Sequence, residues 1–172
     1  GYKYIIGIWD AATGFRWVFG SKDATTNSVI SVVERLRASL RISHPHLDFG
    51  VVRTDNASIF TCPQWIDFLT TDLLAKPELS VAYDHFQIGG VERGWGKSTP
   101  RAAALLCASE LALSHWWSAY RHQVFLDNIS YSQNVNSSSA SRSSAAMRFS
   151  GATFDASALH VYGSPVRYLL SH

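Results

Sequence analysis

Two acidic residues stand where metal-dependent chemistry could use them. Arg53-Thr54-Asp55-Asn56 closes a stretch, Phe49 to Thr54, that reads as a strand, and Gly90-Val91-Glu92-Arg93 falls where a helix should begin. Phosphoryl transfer by two metal ions needs carboxylates converging from separate elements, because their oxygens must meet Mg²⁺ or Mn²⁺ in octahedral geometry. An aspartate at a strand end and a glutamate at a helix start can meet above a sheet edge. Each alone has a plainer reading, since Asp-Asn after a strand commonly makes an Asx turn. Spacing leaves both readings open.

Other chemistry is weaker. The seven histidines show no metal-ligand spacing with Cys62 and Cys107, so no zinc module is expected. His85, near Glu92 in sequence, would either assist proton transfer or stand solvated. Gly94-Trp95-Gly96-Lys97-Ser98 lacks the first glycine of a phosphate loop, because position 91 is valine. Trp116, Trp117 and Tyr120 fit a core-facing helix side better than a base-stacking platform. Arg93, Lys97 and Arg101 are either DNA-phosphate contacts or ordinary surface charge.

Elements that could position these residues follow from the patterning. Tyr4 to Trp9 and Phe15 to Phe19 read as strands joined by the turn residues Asp10 to Gly14, an antiparallel hairpin. Val29, Ile30, Val32, Val33, Leu36 and Leu40 recur at helical spacing. Thr61-Cys62-Pro63-Gln64 predicts a capping box before another helix, and Leu79 to Tyr83 a short strand. Gly94, Gly96 and Pro100 predict a break after Glu92, with a fresh helix starting at Thr99-Pro100 and a further one near Ser114. Residues 129–146 read as a serine-rich linker, and 147–172 as a strand-turn-strand extension over 158–162 and 166–170.

The 172 residues suit one domain, and 47% apolar against 16% charged residues excludes wholesale disorder. No apolar run approaches the roughly 18 residues a membrane span needs. Two cysteines suggest a reducing compartment, and no secretory leader is seen. The opening, inside an apolar stretch and without methionine, reads as the start of an excised piece. Charge is uneven: residues 1–92 hold 8 Lys/Arg against 10 Asp/Glu, whereas 93–172 hold 7 against 3. A basic second half is compatible with a polyanion partner without demanding one.

Five blocks in order resemble the integrase core of copia-type retrotransposons, a branch of the retroviral integrase superfamily. Tyr4-Ile5-Ile6-Gly7-Ile8-Trp9-Asp10 through Phe19, with Lys22, resembles "YFLTFIDDFSRYTWVYFL". Arg53-Thr54-Asp55-Asn56 and Phe60 resemble "RSDNGGEF", and Gln87 to Arg93 resembles "QNGVVER". Trp117 to Tyr120 with Asn128 is similar to "FWAEA…N", and Leu159 to Ser164 to "LRVFGS". The resemblance spans nearly the whole chain.

It implies an α/β, ribonuclease-H-like fold over residues 1–128: a mixed sheet flanked by helices, with a C-terminal strand pair. It also implies an Asp-Asp-Glu triad holding two Mg²⁺ or Mn²⁺ ions for DNA 3′-end processing and strand transfer. Asp55 takes the second position and Glu92 the third, with 36 residues between them. Asn56 and Gln87 match polar positions flanking the site. The first aspartate and its strand would lie upstream, because Asp10 matches the turn of "DDFSR" and reads as a turn cap. The chain thus carries two of three carboxylates.

Several departures qualify the match. The glycines and acid of "DNGGEF" become Ala57, Ser58 and Ile59, and the prolines and asparagine of "TPPYTPQQNG" are lost across Val81 to Gly89. The alternative is therefore a catalytically inactive, domesticated relative that binds DNA or protein. The resemblance implies DNA as partner, no membrane, a nuclear or retrotransposon-particle location, and leaves a homo-oligomer open.

Overall fold

The computed structural model describes residues 1–80, 85–132 and 143–164, with backbone alone for 85–91, 131–132 and 158. The chain divides into two compact units: Gly1–Ile6 with Phe19–Arg93, and Gly7–Val18 with Gly94–His172. Strands β1 (Tyr4–Trp9) and β2 (Arg16–Ser21) pair as a hairpin. Its turn places Gly14 at φ 76°, a left-handed conformation that favours glycine.

In the first unit, α1 (Thr26–Ser43) starts where the Thr25 side chain accepts from Ser28 N–H. Its buried residues, Val29, Val32, Val33 and Leu36, follow helical spacing, and each contributes roughly 1.5–3 kcal/mol of burial. Strand β3 (Val51–Thr54) runs parallel to β4 (Lys76–Leu79), with Val51 opposite Lys76 and Thr54 opposite Leu79. Between them lie α2 (Ser58–Thr61), α3 (Pro63–Asp67) and a π-helical turn, Phe68–Asp72. Trp65, 2% exposed, sits with ring centroids 5.5 Å from Phe60 and 5.8 Å from Phe68.

Local expectations here are partly corrected. Thr61 makes no capping box: its hydroxyl donates to Ser58 C=O, and Cys62 is the cap residue ahead of Pro63. The ladder of the fourth strand begins at Lys76 and ends at Leu79, and positions 81–84 lie outside the described residues.

In the second unit, the expected helix break does not occur. Helix α4 (His85–Ala108) is continuous, with Pro100 inside it. Pro100 has no N–H to give the Gly96 carbonyl four residues back, so that helical hydrogen bond cannot form. Thr99 Oγ1 donates to Trp95 C=O, a hold on the turn that Pro100 weakens. A 3₁₀ turn, Leu113–His115, leads into α5 (Trp116–Ile129). Buried Ala102, Leu106, Ala119, Tyr120, Val124 and Ala145 form the apolar core of this unit.

The linker reading is corrected at its ends. β5 (Tyr131–Ser132) pairs antiparallel with β6 (Ser143–Ser144), and α6 (Ala145–Ser150) follows, capped by the Ser144 side chain. Residues 133–142 lie outside the described residues. No strand forms over 158–162: the segment is a 3₁₀ turn, Ala156–Ala158, then irregular chain to Ser164. Its aromatic side chain, Tyr162, is taken by a helix instead of a neighbouring strand. The partner strand at 166–170 lies outside the described residues.

Among the described residues the strands form three two-stranded ladders, β1–β2, β3–β4 and β5–β6, so the strands at 4–9 and 51–54 do not share a ladder. No described helix is long and apolar enough to cross a membrane.

Candidate functional site

Asp55 sits where β3 ends. Its exposed carboxylate accepts from Ala57 N–H through Oδ1 at 3.0 Å, the Asx turn anticipated above, while Oδ2 accepts nothing among the described residues. Asn56, itself exposed, reaches across to the neighbouring strand's exit: Nδ2 donates to Ser80 C=O at 3.0 Å, and Ser80 N–H donates to Thr54 C=O at 2.9 Å. That amide therefore clamps the chain leaving β4 to the end of β3. One step back, Arg53 pairs with Glu78 at 2.8 Å. The Arg53 hydrogen bond, helped by Lys76, holds the half-buried Glu78 carboxyl below its ordinary range.

Glu92 lies in the N-terminal third of α4 and belongs to the same unit as Asp55. Glu92, Arg93 and Lys97 are exposed and form no hydrogen bond or ion pair among the described residues. The side chains of His85 and Gln87 lie outside the described residues. Arg101 differs from Lys97, because it donates to Asp127 Oδ1 at 3.1 Å. It is the one basic candidate already committed to an acid.

Asp10 spends its carboxylate on its own turn. Oδ1 accepts from Ala12 N–H and Oδ2 from Thr13 N–H, both at 3.2 Å, and the Thr13 hydroxyl also donates to Oδ2. Gly14 N–H closes the turn on Asp10 C=O at 2.8 Å.

A buried polar cluster in the second unit went unread in the sequence. Asp127 Oδ2 pairs with Arg16 Nη2 at 2.9 Å and accepts from Ser98 Oγ at 2.6 Å. Ser98, fully buried, accepts from Arg16 Nη1 at 2.9 Å, and Gln123 Nε2 donates to Asp127 Oδ1 at 2.8 Å. Asn128 completes it: its Oδ1 accepts from Arg16 N–H at 3.0 Å and its Nδ2 donates to Arg16 C=O at 2.8 Å. One amide thus serves both backbone groups at the start of β2. The Arg16 guanidinium also lies 5.4 Å from the Trp95 ring centroid. Adjacent Asp-Asn at 127–128 was the available signal, but its partners are remote in sequence.

The oxygens of Asp55 and Glu92 suit a hard cation such as Mg²⁺. No group of three or more His, Cys, Asp or Glu among the described residues could hold a metal ion, however, so these residues alone do not make a two-ion site.

The alternation of strands and helices defines an α/β fold, and comparison with solved structures specifies it. A chain of the simian T-cell lymphotropic virus intasome, solved in complex with PP2A regulatory subunit B56 gamma, superposes with TM-score 0.63 at 16% identity, over 83% of this chain and 46% of that one. The HTLV-2 integrase catalytic core domain with magnesium matches in its trimeric form (TM-score 0.56, 20% identity, 82% of this chain and 86% of that one). Its dimeric form also matches (TM-score 0.54, 20% identity, 87% and 88%). The chain spans less than half of the intasome chain but nearly all of the core domains. The fold is therefore that of integrase catalytic cores, ribonuclease-H-like. No protein-family profile and no curated protein matches the chain.

Proposed function

We propose that this chain is an integrase core of the copia type, whose reaction is DNA 3′-end processing and strand transfer, with Asp55 and Glu92 as its second and third carboxylates. The carrying observation is the core-domain likeness over 82–87% of the chain, with Asp55 and Glu92 in one unit at a strand end and on a helix. The first carboxylate comes from a strand ahead of β1. When loaded, Mg²⁺ or Mn²⁺ would activate the attacking water or hydroxyl and stabilise the leaving oxygen. In this reading Asp55, anchored by Ala57 N–H, and Glu92 present free oxygens, and Asp10 takes no part. DNA is the substrate, and the site of action is the nucleus or a retrotransposon particle.

The altered 57–59 segment favours a second reading, a domesticated relative that binds DNA or protein without catalysis. Metal titration separates register from activity. Residues 1–172 should bind Mn²⁺ only on the order of millimolar, since Mg²⁺-type ions bind sparse ligand sets weakly. Asp55→Asn should abolish that binding and Asp10→Asn leave it unchanged. An oligonucleotide assay should show no strand transfer by this chain, and transfer by a version extended upstream through an in-frame "D…GP" segment. Loss of metal in Asp10→Asn would overturn the register. Inactivity of the extended protein would favour the domesticated reading.

A further inference from the structure

Beyond α6 the chain turns at Gly151, φ 72°, and travels along α5. Three points among the described residues hold it. The Phe154 ring meets Phe125 edge-on with centroids 5.3 Å apart. Tyr162 lies with its ring 5.3 Å from that of His122 and its hydroxyl 2.6 Å from Ser118 Oγ. Gly163, φ 86°, lies so close to Ser109 at the end of α4 that a Cβ would come within 2.6 Å of that residue's own Cβ. Ser118, His122 and Phe125 are four and three residues apart and share one face of α5. The contacts at 154 and 162 are ordered so that the segment runs antiparallel to the helix. Between the anchors it is thinly attached: Asp155 to Ser157 and His160 are exposed, Leu159 is half-buried, and Val161 is 82% exposed.

We infer that residues 151–164 form a detachable strap, and that the Ser118–His122–Phe125 face of α5 is the docking surface for this one segment. Few anchors with no continuous ladder allow the strap to lift while α5 stays folded, because α5 is held from its other side by buried Ala119, Tyr120, Val124 and Asn128. Lifting uncovers His122 and the covered part of Phe125, which is already 39% exposed. The uncovered stripe then accepts the same segment in trans, from a second copy or as a free peptide. This inference does not depend on the proposed enzymatic activity.

Hydrogen exchange on the full chain tests it. Amides of 152–163 should exchange at least tenfold faster than those of α5. The double variant Phe154→Ala/Tyr162→Ala should bring the strap to unprotected rates and leave α5 within twofold of wild type. Gly163→Ala, which removes no side chain, should raise strap exchange in the same direction. A labelled peptide of residues 151–164 should bind the double variant, and not the wild type whose own strap occupies the face. Acceleration of α5 together with the strap would show the segment to be an integral part of the unit and overturn the inference. Failure of the peptide to bind the double variant would overturn the docking surface.

Discussion

Replacing Asp127 by alanine would strand Arg16, whose side chain is 13% exposed, with no acid to compensate its charge. Removing one partner of a buried pair costs about 3–5 kcal/mol, far more than the pair contributes relative to an apolar core. Ser98 would also lose its acceptor and Gln123 its carboxylate. We therefore expect Asp127→Ala to lower unfolding free energy by about 3–5 kcal/mol in a urea titration. Asp127→Asn, which keeps the shape and one acceptor, should cost less. A loss below 1 kcal/mol would mean that water reaches the guanidinium. This cluster was illegible in the sequence because Arg16, Ser98 and Asp127 are joined only by the tertiary fold. Asp10 was legible for the opposite reason: its acceptors and donors all lie within five residues, and the Gly14 signal sits beside it.

Elements were readable where one periodicity ruled. Helix α1 has apolar residues at 29, 32, 33 and 36, and no glycine or proline competes with that pattern. Helix α4 does not divide as expected: local propensity penalises Gly94, Gly96 and Pro100, whereas buried Ser98, bonded to Arg16 and Asp127, holds the helix through them. The C-terminal strap was misread as a strand because Leu159-His160-Val161-Tyr162 suits extended chain in either role. Its docking carries a pH dependence. Burial pushes the His122 imidazole below its ordinary value. The groups facing it are the Phe125 ring on its own helix and the Tyr162 ring from the strap. Arg121, Asp155 and His160 are exposed charged or titratable neighbours in the two segments, and none is ion-paired to it. A depressed histidine pKa means that the docked state prefers the neutral ring. Docking is therefore strongest above about pH 6.5, the undocked value, and weakens as pH falls toward the lower docked value. Strap protection factors, corrected for intrinsic exchange, should drop between pH 7.5 and 5.5 in the wild type and stay level in His122→Phe. An equal drop in both would assign the effect to another group.

Across the whole molecule, the order of five short blocks revealed the fold at a level of identity where whole-chain similarity is faint, 16–20% to the integrase cores. What those blocks could not reveal was which charges remain free. The formal charge is +2, and the excess of base lies after residue 92. Proteins that neutralise DNA phosphates release counterions, so the slope of log affinity against log salt falls by roughly 0.9 per contact. Lys97 has no acid partner among the described residues, whereas Arg101 gives its guanidinium to Asp127. An arginine must surrender that pair before it can neutralise a phosphate, and a free lysine surrenders only water. If the chain binds DNA as proposed, Lys97→Ala should reduce the salt slope by about one and weaken binding equally on unrelated sequences. Arg101→Ala should change the slope by clearly less. Fluorescence anisotropy on duplex DNA between 50 and 200 mM salt, a range over which such contacts are resolved, measures both. Equal slope changes for the two variants would show that the Asp127 pair does not withhold Arg101 from DNA. No change for Lys97→Ala would remove Lys97 from the DNA-binding surface.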